Sequence, residues 1–574
     1  MTSVRASPHV PPALRATTGP ASSVLWLDAE SAEWTLRTPS FAAARAAWWC
    51  VPVGHSVIVL DAARRAEFPG LREQLVAMAE LEHGPAARAP AAQRASLPDN
   101  DERASLEAML LPQARFTGAC VADLWAGTIR RVEAPTDAAP AAGRRGADGR
   151  GRARDAQAPD ALECPLLGPV VTDEFRHDAL GRPMVVTRLS AGAGLGAFFA
   201  FGTGATRREA LRVATYEALE RHQLATPQRD RHFVRATYRE LGDAAVDPTT
   251  LGFGDCAAGA ELDPRATPLH WVTAWSSREQ RAMLVPAQDV WLQSAQLPAE
   301  PIFVQSTTSG TALGSTFAEA ATHALLEAVE RDAYLATWYL RRTPPRSAPV
   351  EPPACRVDVA AAFPTHRIVS YDVTTDTGIT TSLAVATAAA GERVARCVHA
   401  TTAGLHAGEV RQAAEIGLAM NPLTLSPDRW DAYTAAGQDL ASVIEAELHY
   451  GVHAVGAASG GAAFLRPASP EAAPLPAHRF ADSFDSPESA WEAVSARVLE
   501  AVSDILVVDL THPGIRAKGL HCAKVLVPDL LPLWFGLRWR RVRVTPRLQS
   551  LAKAFGVPVP RTVDDLNQEL HALG

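Results

Sequence analysis

The alternation of apolar and polar positions divides the chain into short extended runs and longer helical ones. Near the N-terminus, Val24–Leu27 and His55–Leu60 read as strands, since both are apolar runs rich in β-branched, aliphatic or aromatic side chains. Residues 71–81 place apolar side chains at helical spacing. Residues 134–160 then mix Ala, Gly, Pro and Arg with no apolar period, which is the composition of a flexible tether. Beyond it, Met184–Leu189, Trp271–Trp275 and Asp504–Asp509 read as strands separated by long helical stretches. Strands with helical insertions predict an α+β fold, a helix-covered sheet rather than a purely doubly wound one. Three units follow: a small N-terminal α/β accessory domain over 1–133, a linker over 134–160 and a main domain over 161–574.

One helical pattern occurs twice. Gly204 through Arg221 aligns without a gap on Gly314 through Arg331, and the copies share Gly, Thr, Glu, Ala, a later Ala, then Glu, Ala, Glu and Arg. Each copy opens with Gly-x-Thr-x-x-Glu, a capping box in which the Thr hydroxyl accepts from the N3 amide and the Glu reaches back. That structural role is the preferred reading of Glu209. In the second copy, Glu319, His323, Glu327, Glu330 and Tyr334 fall within a stripe of about 80° at about 100° per residue. Most of the remaining circumference is Ala, Leu and Val. A narrow acidic stripe on an otherwise apolar helix predicts a buried helix that faces a polar cavity.

Composition narrows the function. The chain has 574 residues, 47% hydrophobic and 21% charged, enough to bury substantial cores. A formal net charge of −8 argues against a nucleic-acid binder. The seven cysteines are scattered with no C-x-x-C pair, so neither a disulfide framework nor a cysteine zinc site is legible. The start lacks the regions of a signal peptide and no apolar run reaches membrane-spanning length, which predicts a cytoplasmic protein without a membrane partner.

Buried carboxylates need cations. The bland resolution is an ion-pair network with Arg221 and Arg331. The functional one is Mg²⁺, which favours carboxylate and phosphate oxygens and is commonly held by one or two carboxylates plus a nucleotide. The loop 306–315 is rich in hydroxyls and glycine, as a phosphate or ribose cradle would be. A further pair one helical turn apart, Arg411 and Glu415, could add a cation and a metal ligand.

These residues resemble the YcaO family of cyclodehydratases, from about Cys164 to about Asn567. The resemblance is carried by residues 217–221, 238–242, Trp271 with Trp275, Val285-Pro286, Ser309-Gly310-x-Ala312-x-Gly314, residues 327–333, Asp509-Leu-Thr and Val525–Pro528. It implies a fold with an internally duplicated ATP-binding unit and Mg-ATP between the acidic helices. By motif position, Glu217, Glu220, Glu319, Glu327, Glu330 and Glu415 would bind Mg²⁺. Arg221, Ser309, Ser315, His323, Arg331 and Arg411 would line the nucleotide. The implied reaction adds a Cys, Ser or Thr side chain of a ribosomally made precursor peptide to the preceding amide. Loss of water then yields thiazoline or (methyl)oxazoline in a bacteriocin-like product. A thioamide- or amidine-forming enzyme, and an impaired scaffold subunit, stay open. Departures from the family pattern motivate the scaffold: Val213 stands where Ser is usual, Ser309 and Ser315 stand where Asn is common, and no Pro-x-Pro-x-Pro tail precedes Gly574. Implied partners are the precursor's leader and core, an E1-like or leader-binding protein, and a second copy in a homodimer.

Overall fold

The structure is a computed structural model. It describes residues 24–26, 48–53, 56–61, 119–123, 128–132, 170–177, 181–189, 198–225, 233–256, 261–292, 300–347, 359, 363–388, 397–418, 429–443, 446–456, 462–465, 474–478, 480, 484–512, 515–516 and 519–573. The expected helix over 71–81 and the tether over 134–160 lie outside the described residues.

Four sheets form. The first lies wholly within 1–133 and joins β1 (Val24–Trp26), β2 (Trp48–Val53), β3 (Ser56–Asp61), β4 (Ala119–Asp123) and β5 (Thr128–Val132) in sequence order. Its β1–β2 pair is parallel and the rest are antiparallel. The predicted strands at 24–27 and 55–60 correspond to β1 and β3, shifted by a residue at their ends.

The second sheet is a meander of β6 (Val170–His177), β7 (Pro183–Leu189) and β8 (Phe198–Thr203), and its last strand leads into α1 (Arg207–Ala225). The central sheet runs β11-β10-β16-β17-β12, with β9 added beside β10. Its strands are β9 (Val234–Ala236), β10 (Leu269–Ser276), β11 (Arg281–Pro286), β12 (Thr311–Gly314), β16 (Leu506–Asp509) and β17 (His521–Leu526). Every pairing in it is antiparallel, and Trp275 of β10 sits opposite Val507 of β16. Edge strand β12 turns directly into α2 (Phe317–Tyr339). The fourth sheet is β13 (His366–Asp372), β14 (Thr380–Ala388) and β15 (Cys397–Gly404), followed by α3 (Ala407–Gly417). Two later helices, α4 (Pro487–Leu499) and α5 (Pro546–Ala554), complete the set that positions the site.

The duplicated sequence therefore folds as two strand–turn–helix units, β8–α1 and β12–α2. Their turns are alike for a physical reason. In each, the Thr hydroxyl (Thr206, Thr316) accepts from the Glu amide at 3.2 or 3.1 Å, and the Glu carboxylate accepts from the residue after the Gly at 2.9 Å. One helix-end donor, the Glu amide, is thereby satisfied at each N-terminus, while the Glu carboxylate reaches the amide one residue before the Thr rather than the N-cap amide of the predicted capping box. The small residues that follow are contact residues. A Cβ on Gly202 would lie 2.1 Å from Ala210 O, so α1 rides on β8 at a distance only glycine permits.

Helix α2 is sandwiched. Its Ala320, Ala324 and Val329 pack with Ala312, Ala523 and Val525 of the central sheet and with Val494 and Val498 of α4. Its Tyr334 and Leu335 pack with Leu383 and Val385 of β14 and with Leu573 near the chain end. Alternate central-sheet residues, Leu313 and Cys522, join the other core with Leu219 of α1 and Trp271. Helices α1 and α2 thus flank opposite faces of edge strand β12. The C-terminal segment is fastened to α2: Ala572 N donates to Tyr334 Oη at 3.0 Å, and Trp338 Nε1 donates to Glu569 O at 3.2 Å.

Candidate functional site

The acidic positions of both units meet where α1 and α2 straddle β12 and β17. Glu217 Oε2 accepts from Phe201 N at 2.8 Å, which ties α1 to β8, and Oε1 pairs with Arg221 at 2.5 Å. On α2, Arg331 reaches Glu327 at 3.2 Å and Glu330 at 3.0 Å. The remaining oxygens of Glu330 are held from β15, by Thr401 Oγ1 at 2.8 Å and Ala403 N at 3.2 Å. Each arginine therefore pairs with glutamates of its own helix, as the bland reading required.

These pairs do not neutralise the site. Burial raises the Glu220 carboxyl well above the usual carboxylate range, and the neighbouring charges of Glu327 and Glu217 raise it further. Glu330 is likewise raised by burial and by Glu327, with Arg331 opposing. With all four glutamates ionised, as metal binding requires, they would outnumber the cations Arg221, Arg331 and Lys524 of β17, and the raised Glu220 and Glu330 carboxyls reflect that cost. A divalent cation is the natural complement. Among the described residues, no three His, Cys, Asp or Glu side chains converge closely enough to chelate an ion unaided.

Two clefts adjoin the cluster. One, of about 260 Å³, is lined by His323, Leu326, Glu327 and Glu330 of α2, by Thr402–Leu405, and by His406, Glu409, Val410 and Ala413. The acidic stripe thus faces a cavity along its middle. The other, of about 90 Å³, is lined by Ala328 and Arg331 of α2, Thr307, Ser309, Lys524 and the 525–533 segment, with Thr250, Asp289, Arg541 and Arg543 opposite. The Glu327–Arg331 pair stands between them.

The predicted residues are not all brought together. Tyr334 leaves the stripe: its hydroxyl bonds His399 Nδ1 at 2.9 Å and it stacks beside Trp338 in the core. The physical reason is length, because 23 residues of helix outrun one cavity and the C-terminal half is packed against β14. Ser315 donates its hydroxyl to Glu319 at 2.5 Å, so both belong to the hydrogen-bonded turn that starts α2, and Glu319 is buried there. Arg411 and Glu415 pair at 2.9 Å on α3, but Ser370 of β13 donates to Glu415 and Arg411 reaches Ser347 O, which places the pair off the cavity face formed by Glu409, Val410 and Ala413. His323 lines the first cleft and Ser309 the second.

Sequence reasoning missed Lys524. It lies on β17, is 3% exposed, and donates to Thr307 O at 2.8 Å and Ser309 O at 2.7 Å. Burial draws its ammonium down to about 8 against the opposing charges of Asp289, Glu327 and Glu220. The available signal was one lysine inside an apolar strand pattern.

Among the described residues no helix is long and apolar enough to cross a membrane. Residues 201–531 match a family model described as YcaO cyclodehydratase, ATP and Mg²⁺-binding. An uncharacterized protein of Methanothermobacter thermautotrophicus is 28% identical over 239 residues, covering 38% of this chain and 56% of that protein, so the match spans just over half of the curated relative. A heterocyclase solved with substrate and cofactor superposes with a TM-score of 0.60 at 17% identity, covering 95% of this chain and 80% of that one. The heterocyclase TruD gives 0.51 at 18% identity, covering 96% and 79%. These two likenesses establish the α+β helix-covered fold. With the family model matching more than half of the sequence, the chain belongs to the YcaO family, whose cofactors are ATP and Mg²⁺.

Proposed function

We propose that this protein activates backbone amides of a ribosomally made precursor peptide with ATP, and cyclodehydrates Cys, Ser or Thr to thiazoline or (methyl)oxazoline. The observation that carries the reading is the convergence of desolvated carboxylates from two repeated helices beside a cleft lined by Glu327 and Glu330. Glu217, Glu220, Glu327 and Glu330 would hold Mg²⁺. Arg221, Arg331 and His323 would line the nucleotide, with Ser309 at the far side of α2. Glu319 and Ser315 would act by fixing the start of α2, and Arg411 and Glu415 by holding α3 against β13. ATP supplies the phosphoryl group that converts an amide oxygen into a leaving group. The chain's own part is to position the reacting groups, neutralise charge and exclude water.

In this reading 161–574 is the catalytic domain, 1–133 docks a leader peptide or an E1-like partner, 134–160 tethers the two, and the protein works in the cytoplasm, as a monomer or a homodimer. The test is calorimetric binding of AMPPNP with Mg²⁺, followed by ADP release on a set of synthetic peptides each carrying one Cys, Ser or Thr. Wild type should bind and turn over, and Glu327→Gln should lose turnover. Equal, negligible turnover in both proteins would refute the enzyme reading in favour of a scaffold. Mass spectrometry of the product separates the chemistries. Ring formation removes water, a thioamide exchanges oxygen for sulfur, and an amidine loses water at a position that fragmentation locates.

A further inference from the structure

Lysine is scarce in this chain. Of its 55 basic side chains only Lys518, Lys524 and Lys553 are lysine, and the rest are arginine. Lys553 is exposed on α5, whereas Lys524 is buried on β17. Its ammonium donates to two carbonyl oxygens of one loop, Thr307 O at 2.8 Å and Ser309 O at 2.7 Å. Asp289, the carboxylate that acts on it most strongly, is itself paired with Arg541 at 2.8 Å. One nitrogen meeting two close acceptors suits an ammonium with three rotatable donors, and a planar guanidinium fork does it poorly. Burying an ammonium is costly, so the lysine is explained by what it holds. The loop it holds is clamped twice, by consecutive residues of β17. Val525 N donates to Gly310 O at 2.8 Å, and Gly310, at φ +74°, lies so close that a Cβ there would meet Val525 O at 2.8 Å. Inside the loop, Ser309 N donates to Thr307 Oγ1 at 3.3 Å and Thr311 N to Thr308 O at 3.1 Å. The chain then runs straight through β12 into α2, which carries Glu327, Glu330 and Arg331.

We propose that Lys524 is a positioning residue for the nucleotide: by gathering the carbonyls of Thr307 and Ser309 it holds the 307–310 loop in the shape that receives the ligand. It acts through the loop rather than by touching the nucleotide. The assignment rests on the function proposed above, in which Ser309 lines the nucleotide, and adds the residue that sets Ser309 in place. Lys524 and Val525 grip the loop from one strand, so releasing either grip releases the same element.

The probe is AMPPNP with Mg²⁺, titrated calorimetrically into the full chain as wild type, Lys524→Met, Gly310→Ala and the double variant. Gly310→Ala pushes the loop off its other clamp and leaves every charge in place. Each single variant should weaken AMPPNP about tenfold at unchanged stoichiometry. The double variant should also lose about tenfold, because one loop is released only once. A residue that merely held the fold together would lower the stoichiometry, which counts competent molecules, and leave the dissociation constant of the remainder as in wild type. That result overturns the proposal, as does an unchanged constant in Lys524→Met. Losses that multiply to about a hundredfold in the double variant overturn it too, since Lys524 would then act on the phosphates by its own charge. If Lys524→Met does not fold, Gly310→Ala decides alone, and wild-type affinity in it is the refuting result. In each of these cases wild type binds AMPPNP and the nucleotide reading stands. Failure of wild type to bind removes both readings together.

Discussion

Replacing Arg547 by Met should lower the melting temperature by about 5 °C, an amount set by one buried ion pair. Arg547 Nη1 and Nη2 donate to Asp332 at 2.9 and 2.7 Å, Nη2 and Nε reach Asp376 at 2.7 and 3.2 Å, and Nη1 also donates to Asp529 O at 3.2 Å. The Asp332 side chain is fully buried, whereas that of Asp376 is 34% exposed. Without the guanidinium, Asp376 can hydrate but Asp332 keeps only the Leu531 amide, at 2.9 Å. Stranding a buried charge in this way costs about 3–5 kcal/mol. At about 2.1 cal/mol/K per residue, a unit of roughly 400 residues has an unfolding entropy near 0.8 kcal/mol/K, which converts about 4 kcal/mol to about 5 °C. The assay is thermal unfolding followed by circular dichroism, without nucleotide. Adding Asp332→Leu to Arg547→Met removes the stranded charge and should recover most of the loss, as an apolar replacement of both partners does. A single variant melting within about 1 °C of wild type would refute the reasoning, as would a double variant that merely adds two losses.

Three further outcomes follow from the geometry. Burial lowers His222, His399 and His571 to about 3 and His453 to about 4, and pushes His449 well below the ordinary histidine value. In the window from about 3 or 4 up to 6.5 the unfolded chain binds protons these side chains refuse when folded, so their contribution to stability should fall as pH drops through it and be fully present above it. The raised Glu220 and Glu330 act in the opposite sense above the normal carboxylate range, but five histidines outweigh two carboxyls. Urea midpoints at pH 5 and pH 7 check this, and equal midpoints would sink it. Gly202→Ala should unfold or misplace α1, because its Cβ would meet Ala210 O at 2.1 Å and Ala214 N at 2.2 Å. Gly181→Ala has nothing within 4 Å and only a φ of +72° to resist it, costing about 1 kcal/mol, so paired melting curves separate contact from strain. Glu220→Gln removes a charge that burial and two neighbouring carboxylates disfavour. It should raise the ligand-free melting temperature and abolish the further rise on adding Mg²⁺ with AMPPNP; an undiminished rise would show that Glu220 is no ligand.

The duplicated units, their Thr caps and the acidic stripe were legible because each is local: a spacing of three or four residues decides which side chains share a helix face, though each Glu reaches the amide one residue before the cap that a capping box would use. The N-terminal strands and the central strands at 184–189, 271–275 and 504–509 were legible from apolar pattern for the same reason. What was hidden is long-range. Nothing near Lys524 in sequence says that its ammonium meets carbonyls of Thr307 and Ser309. Nothing near Tyr334 says that His399 and the amide of Ala572 will claim its hydroxyl before a cavity can. Arg411 and Glu415 show the limit of a helical spacing argument, since i,i+4 predicts that they pair but not that the pair turns toward Ser370.

The pairing of Trp275 with Val507 has a consequence for how the molecule is made. Strands β16 and β17 supply the middle of the central sheet, yet they leave the ribosome more than two hundred residues after β10. Until then β10 and β12 are unsatisfied edges and both acidic helices lack their floor, so the site assembles only after β17 has been made. Expressed as separate halves split between the two repeats, it should yield sticky fragments that regain shape only on mixing.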